Sequence, residues 1–202
     1  MYKIVVFVSG RGSNLRAILN TIPKSIIVVG VISDKLDCPA FSIADEYSIP
    51  KFCVSDKFNS GYLQYEDLLK QFDDMEVDLV VLAGFLKKVP DIVVEQYENK
   101  IINIHPALLP SFGGKGMYGI NVHKAVFDRS CKVSGATIHF VDKIFDNGKI
   151  IAQEAVDIGA VESPEEIGAK VLEIEHKILP AVIEKFSQNK VKIINKRVFI
   201  KN

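Results

Sequence analysis

The chain has 202 residues, with 25 basic and 25 acidic side chains and no net charge when the histidines are neutral. That balance excludes the basic excess of a nucleic-acid binder, and no apolar run is long enough to span a bilayer. Three cysteines (Cys38, Cys53, Cys131) lack any paired or CxxC spacing, and the four histidines are not spaced as metal ligands. A reducing compartment, here the cytoplasm, and no metal are therefore expected. The N-terminus opens directly on a strand with one lysine, not on a leader.

Taken in order, Tyr2 to Val8 is an apolar strand. Ser9-Gly10-Arg11-Gly12-Ser13-Asn14 follows, and then the helical start Leu15-Arg16-Ala17-Ile18-Leu19 (helix 13–21). Strand, glycine turn and helix N-terminus make an anion site, because free N–H groups and the helix dipole both favour phosphate. Gly10 and Gly12 permit positive φ and close backbone approach; Ser13 or Asn14 can cap the helix. A dinucleotide fingerprint needs a third glycine where Leu15 stands, and the lysine of a Walker loop is missing. The loop therefore suits a monophosphate. A second strand (26–32) ends near Asp34, placed either as a ribose-binding acid or as a turn cap. Strands at 51–54, 77–83 and 100–104 alternate with helices at 39–47, 62–72 and 90–97. Such alternation predicts parallel crossovers. Asp78-Leu79-Val80-Val81-Leu82-Ala83 has the unbroken apolarity of a strand covered on both faces.

Lys100-Ile101-Ile102 runs into Asn103-Ile104-His105-Pro106-Ala107-Leu108-Leu109-Pro110. Asn103 and His105 stand two apart in an extended segment and so project to one side. The prolines end the strand there, at the position where α/β sheets bind ligands. An irregular stretch at 105–120 follows, in which four glycines of Gly113 to Gly119 predict a mobile segment. Next come a helix near 121–129 and an antiparallel pair at 134–142 and 149–157. Within the first of these strands Thr137, His139 and Val141 share a face. His139 is read either as a hydrogen-bonded structural group or as a catalytic one. Asp146-Asn147-Gly148 is good turn chemistry, and its carboxylate is placed to orient a histidine and raise its pKa. A long helix at 163–188 opens on Ser163-Pro164-Glu165-Glu166, with Ser at N-cap and Pro at N1. The tail 190–201 suits a small hairpin.

The fold expected is α/β: a Rossmann-like, mostly parallel twisted sheet with helices on both faces, and antiparallel strands in the C-terminal half. Without a linker the chain is taken as a single domain, 1–202, with a phosphate-binding half (1–100) and a catalytic half (101–202). In order, SGRGSN, LAGFLKKV, NIHPALLPSF, SGATIHFVD with DNGKII, and EHKILP resemble the glycinamide ribonucleotide formyltransferases of purine synthesis. The resemblance runs from Met1 to Pro180. It implies the formyltransferase fold, 10-formyltetrahydrofolate as co-substrate, and small-molecule substrates acting on a monomer or homodimer. It implies catalytic Asn103, His105 and Asp146, with His105 kept protonated by Asp146. It assigns glycinamide ribonucleotide to Gly12, Ser13, Asn14 and Glu175. Folate falls to Leu86, Lys87, Lys88 and Val89, to Asn103, and to the segment from Asp142 to Asp146. The family often has arginines where Tyr62 and Lys87 stand; Lys87 keeps the charge without the planar fork. Other formylfolate enzymes, a hydrolase or a transfer-RNA formyltransferase, are the alternative, with a non-catalytic nucleotide-binding module behind them.

Overall fold

The computed structural model describes residues 1–201. They form two compact units that divide between Ile102 and Asn103, two residues from the expected division of the halves.

The first unit holds β1 (Tyr2–Val8), α1 (Ser13–Thr21), β2 (Ile26–Ser33), α2 (Phe41–Glu46), β3 (Lys51–Cys53), α3 (Tyr65–Met75), β4 (Leu79–Leu82), α4 (Asp91–Gln96) and the start of β5 (Ile101–His105). Its strands run in the order β3-β2-β1-β4-β5. The pairs β1–β2, β1–β4 and β2–β3 are all parallel. β1 is the central strand, and Ile4 to Val8 are fully buried as a strand covered on both faces requires. Phe7 meets Phe72 of α3 and Phe85 edge-on, at 6.2 and 5.1 Å between ring centroids. β4 is shorter than expected, yet Asp78 N–H and Ala83 N–H still bond to Lys3 and Phe7 carbonyls of β1. α3 begins three residues later than the sequence predicts. Leu63 N–H is taken by the Cys53 carbonyl, so the chain stays extended until Gln64.

The second unit contains the end of β5, α5 (Ile120–Asp128), β6 (Val133–Phe140), β7 (Ile150–Asp157), α6 (Pro164–Ser187) and a hairpin of β8 (Val191–Ile194) and β9 (Arg197–Ile200). Here the order is β5-β6-β7, which completes a mostly parallel seven-stranded sheet. β6 and β7 pair antiparallel, and the register slips between Ile138 and His139. α6 opens as expected: Ser163 accepts the Glu166 N–H at 3.3 Å, and Pro164 fills the first turn. A buried stripe runs along Ile167, Val171, Glu175, Ile178 and Val182. Steps of three and four place these on one helix face. No helix among the described residues is long and apolar enough to cross a membrane.

Candidate active site

The glycine turn leaves β1 and enters α1 through Gly12, whose φ is +77°. A Cβ there would also lie 2.7 Å from that of Ala40, so both conformation and packing demand glycine. Gly10 differs from expectation: its φ is not in the left-handed region, and a Cβ would meet nothing within 4 Å. Neither Ser13 nor Asn14 caps α1; Gly12 holds the N-cap position without a side-chain bond. The amides of Gly12 and Ser13 make no backbone hydrogen bond among the described residues. They remain available to an anion, as first-turn amides are. Asp34, expected as a ribose-binding acid or a turn cap, engages the glycine turn through Oδ1. It accepts the Ser9 hydroxyl at 2.6 Å, and Ser9 in turn accepts the Leu86 N–H at 2.9 Å. This chain of bonds ties the glycine turn to the end of β2 and to the segment after β4.

In that last segment Leu86, Lys87 and Lys88 are exposed, and Lys88 pairs with Asp91 at 2.9 Å. Val89 is 3% exposed and packs into the core.

In the second unit, β5 delivers Asn103 and His105 to one cluster, as their spacing predicts. Asn103 Nδ2 donates to His139 Nε2 at 3.0 Å. His139 Nδ1 faces the Phe140 carbonyl at 2.8 Å. A carbonyl only accepts, so the proton of neutral His139 sits on Nδ1 and its Nε2 lone pair orients the Asn103 amide. Asp146 lies between the two rings. Oδ2 is 3.6 Å from His105 Nδ1 and Oδ1 is 3.6 Å from His139 Nε2. These are ion-pair separations, too long for hydrogen bonds. His105 Nε2 donates to the Phe112 carbonyl at 2.8 Å, and Asp146 accepts the Gly114 N–H at 2.8 Å. Below the cluster Thr137 donates to the Ala107 carbonyl and accepts from Leu109 N–H and Gln153 Nε2. That network fixes the chain just after His105.

His139 was a choice between structure and catalysis on sequence grounds; the geometry makes it the partner that aims Asn103. The slip in β6 register at this residue turns its side chain, as β-bulges do beside active sites. A polar side chain in a buried alternating strand was its only signal.

The electrostatics correct one expectation. Burial pushes the His105 pKa down, and this outweighs the upward pull of Asp146 and of the Phe112 carbonyl. His105 is therefore held below the usual histidine value, against the expectation that Asp146 lifts it. Burial alone would raise Asp146, but the His139 and His105 imidazoles, when they carry a proton toward it, and the Gly114 amide outweigh it and hold the carboxyl low. Asp142 is committed to the turn: its oxygens accept from Ile144 N–H at 2.8 Å and Asn147 Nδ2 at 3.0 Å. That closure also ends β6 at Phe140, before the expected boundary. Glu175 is 7% exposed on the apolar stripe of α6, not a solvated surface charge. No group of three potential metal ligands forms among the described residues.

The buried histidines set a pH dependence of stability. His105, His123 and His176 all have depressed pKa values, caused first by burial. The unfolded chain titrates them near pH 6.5. Below that pH the unfolded state binds protons that the native state refuses, so stability falls with acidification. Depressed Asp146 acts in the same sense at lower pH, as its own folded-state value is approached. Thermal denaturation between pH 8 and pH 5 is expected to show Tm falling once pH drops below about 6.5. A Tm constant across that window would contradict the assignment.

A half-buried amide, two buried imidazoles and a half-buried carboxylate, mounted on a mostly parallel α/β sheet, define an acid–base enzyme of the α/β class. The chain belongs to the formyl transferase family, which matches residues 2–183. It is 41% identical over 195 residues to the chloroplastic phosphoribosylglycinamide formyltransferase of Arabidopsis thaliana, covering 94% of this chain and 67% of the plant protein. With the Bacillus subtilis phosphoribosylglycinamide formyltransferase it shares 35% identity over 188 residues, 91% of this chain and 94% of that protein. The crystal structure of the enzyme of that name from Anaplasma phagocytophilum superposes with a TM-score of 0.89 at 33% identity, over 100% of this chain and 95% of the other.

Proposed function

We propose that this chain transfers the formyl group of 10-formyltetrahydrofolate to the primary amine of glycinamide ribonucleotide, in the cytoplasm, as a step of de novo purine synthesis. The observation that carries the reading is the Asn103–His139–Asp146–His105 cluster, with both imidazoles buried, in a chain whose full-length bacterial relatives are named phosphoribosylglycinamide formyltransferase. Attack of an amine on a formyl carbon puts negative charge on the formyl oxygen and leaves a proton to be moved from one nitrogen to another. Asn103 spends one amide N–H on His139 and has a second to donate to that oxygen. Asp146 is the more accessible acid–base group, with its side chain 12% exposed against 4% for His105. It takes the proton released by the amine and shares it with His105 Nδ1. A neutral His105 suits this role better than a permanently charged one. The same proton returns to the departing folate nitrogen, so no protein nucleophile is required.

The substrate phosphate is assigned to the amides of Gly12, Ser13 and Asn14, and the folate to the backbone of Leu86, Lys87, Lys88 and Val89 and the segment from Asp142 to Asp146. Glu175 is assigned to the substrate amine on the family resemblance; it stands 7% exposed on the apolar stripe of α6. The test is a formyl-transfer assay with glycinamide ribonucleotide as acceptor and water alone as the control. Glu175→Gln removes a charge-assisted bond worth about 1.5–3 kcal/mol. It is expected to raise KM for the ribonucleotide about tenfold or more, with KM for the folate unchanged. Formyl loss to water alone, or equal effects of the variant on both substrates, would overturn the reading.

A further inference from the structure

We infer that Phe112-Gly113-Gly114, with Arg129 stacked on the Phe112 ring, is a backbone clamp that positions the His105–Asp146 pair and fixes the resting imidazole proton on Nε2. Its consequence for rate rests on the reaction proposed above, whereas the positioning itself is a property of the unliganded protein.

Three consecutive residues meet the pair. The Phe112 carbonyl accepts from His105 Nε2 at 2.8 Å. Gly113 lies directly against Asp146: a Cβ at this position would be 3.2 Å from the Asp146 Cβ and 2.5 Å from Leu109 Cδ2. Gly114 N–H donates at 2.8 Å to Asp146 Oδ2, the same oxygen that faces His105 Nδ1. One short stretch of main chain therefore holds both the far nitrogen of the ring and the near oxygen of the carboxylate.

The backbone needed for this is unfavourable. Gly114 takes φ +95° without a Cβ to object, but Phe112 takes φ +56°. A bulky side chain is rarely found in that region, and such outliers persist where the surroundings hold them. Here the guanidinium of Arg129, the residue that ends α5, lies 5.7 Å from the Phe112 ring centroid. That is cation–π range. The stack gives the ring a fixed seat, and the seat turns the Phe112 carbonyl toward His105.

The carbonyl also selects a tautomer. Either neutral tautomer leaves one ring lone pair facing an oxygen. The Phe112 carbonyl stands at hydrogen-bond distance, 2.8 Å, and Asp146 Oδ2 does not, at 3.6 Å, so the proton sits on Nε2 and the Nδ1 lone pair faces the carboxylate. A proton gained by the pair then falls between ring and carboxylate, where both can return it.

The experiment is long-range 1H–15N NMR of the imidazoles in the free protein, with His105 identified by its loss in His105→Gln. The wild type is expected to show the Nε2–H tautomer. Arg129→Ala changes an exposed residue and leaves the core intact; it and Phe112→Ala are expected to give mixed tautomers. Their kcat should fall about ten- to a hundredfold, as small misplacements at a reacting centre do, with KM for both substrates nearly constant. Phe112→Gly should lie closer to wild type than Phe112→Ala, since glycine accepts positive φ. A pure Nε2–H signal in both alanine variants would overturn the clamp, as would a glycine variant no better than the alanine one. A wild type that shows the tautomer and its loss in the variants, yet transfers no formyl group, would support the clamp and sink only the reaction.

Discussion

Asp146→Asn is expected to lower kcat by about a hundred- to ten-thousandfold, the range carried by a positioned acid–base group. The turn should survive the change. Asp146 has φ +53°, a conformation that asparagine tolerates well, and an amide oxygen can still accept the Gly114 N–H. What disappears is the charge and the ability to take a proton. Of the influences on His105, Asp146 is the largest that pulls its pKa up, working against burial. Its loss should therefore move the His105 titration further down, away from neutrality. The sign is checkable by NMR: lower in the variant than in the wild type. A variant with near-normal rate and an unmoved His105 would leave Asp146 as a turn residue only.

The parts of this molecule that the sequence disclosed are those governed by short-range patterns. β1, β2 and β5 are legible as apolar runs bounded by glycine or proline, and α6 as Ser-Pro-Glu-Glu before a three–four apolar repeat. The pairing of Asn103 with His105 follows from strand alternation alone. What the sequence concealed depends on partners distant in the chain. Ser13 and Asn14 have the right chemistry for a cap, but the cap position went to Gly12, which Ala40 crowds from outside. α3 starts at Tyr65 because the Cys53 carbonyl holds the Leu63 N–H, a partner ten residues back in the chain. Phe112 to Gly114 has the composition of a mobile glycine segment, yet two of its backbone groups are bonded to His105 and Asp146. The downward direction of the His105 pKa is hidden from the sequence for a related reason. Proximity of Asp146 can be guessed from a turn between strands, but the depth of burial that outweighs it belongs to the whole unit.

Asn103→Ala is expected to cost about a hundred- to a thousandfold in kcat, the loss typical of one oxyanion donor. Two effects combine in that figure. The second amide N–H, which the proposed reaction directs at the formyl oxygen, is removed, and His139 Nε2 loses the donor it accepts. His139 is 2% exposed, so its abandoned lone pair stays in a site from which water is largely excluded. An unsatisfied buried acceptor costs about 1–3 kcal/mol, and a drop in the urea midpoint should accompany the loss of rate. The two effects separate with Asn103→Asp. Aspartate keeps the shape but offers no amide hydrogen, and its charge faces Asp146 and the growing negative oxygen. Its kcat should fall further than that of the alanine variant. The bond to His139 becomes possible only if the ring takes a proton on Nε2. An aspartate variant as active as the parent would show that Asn103 donates nothing to the reacting oxygen. Its role would then be confined to holding β5 against β6.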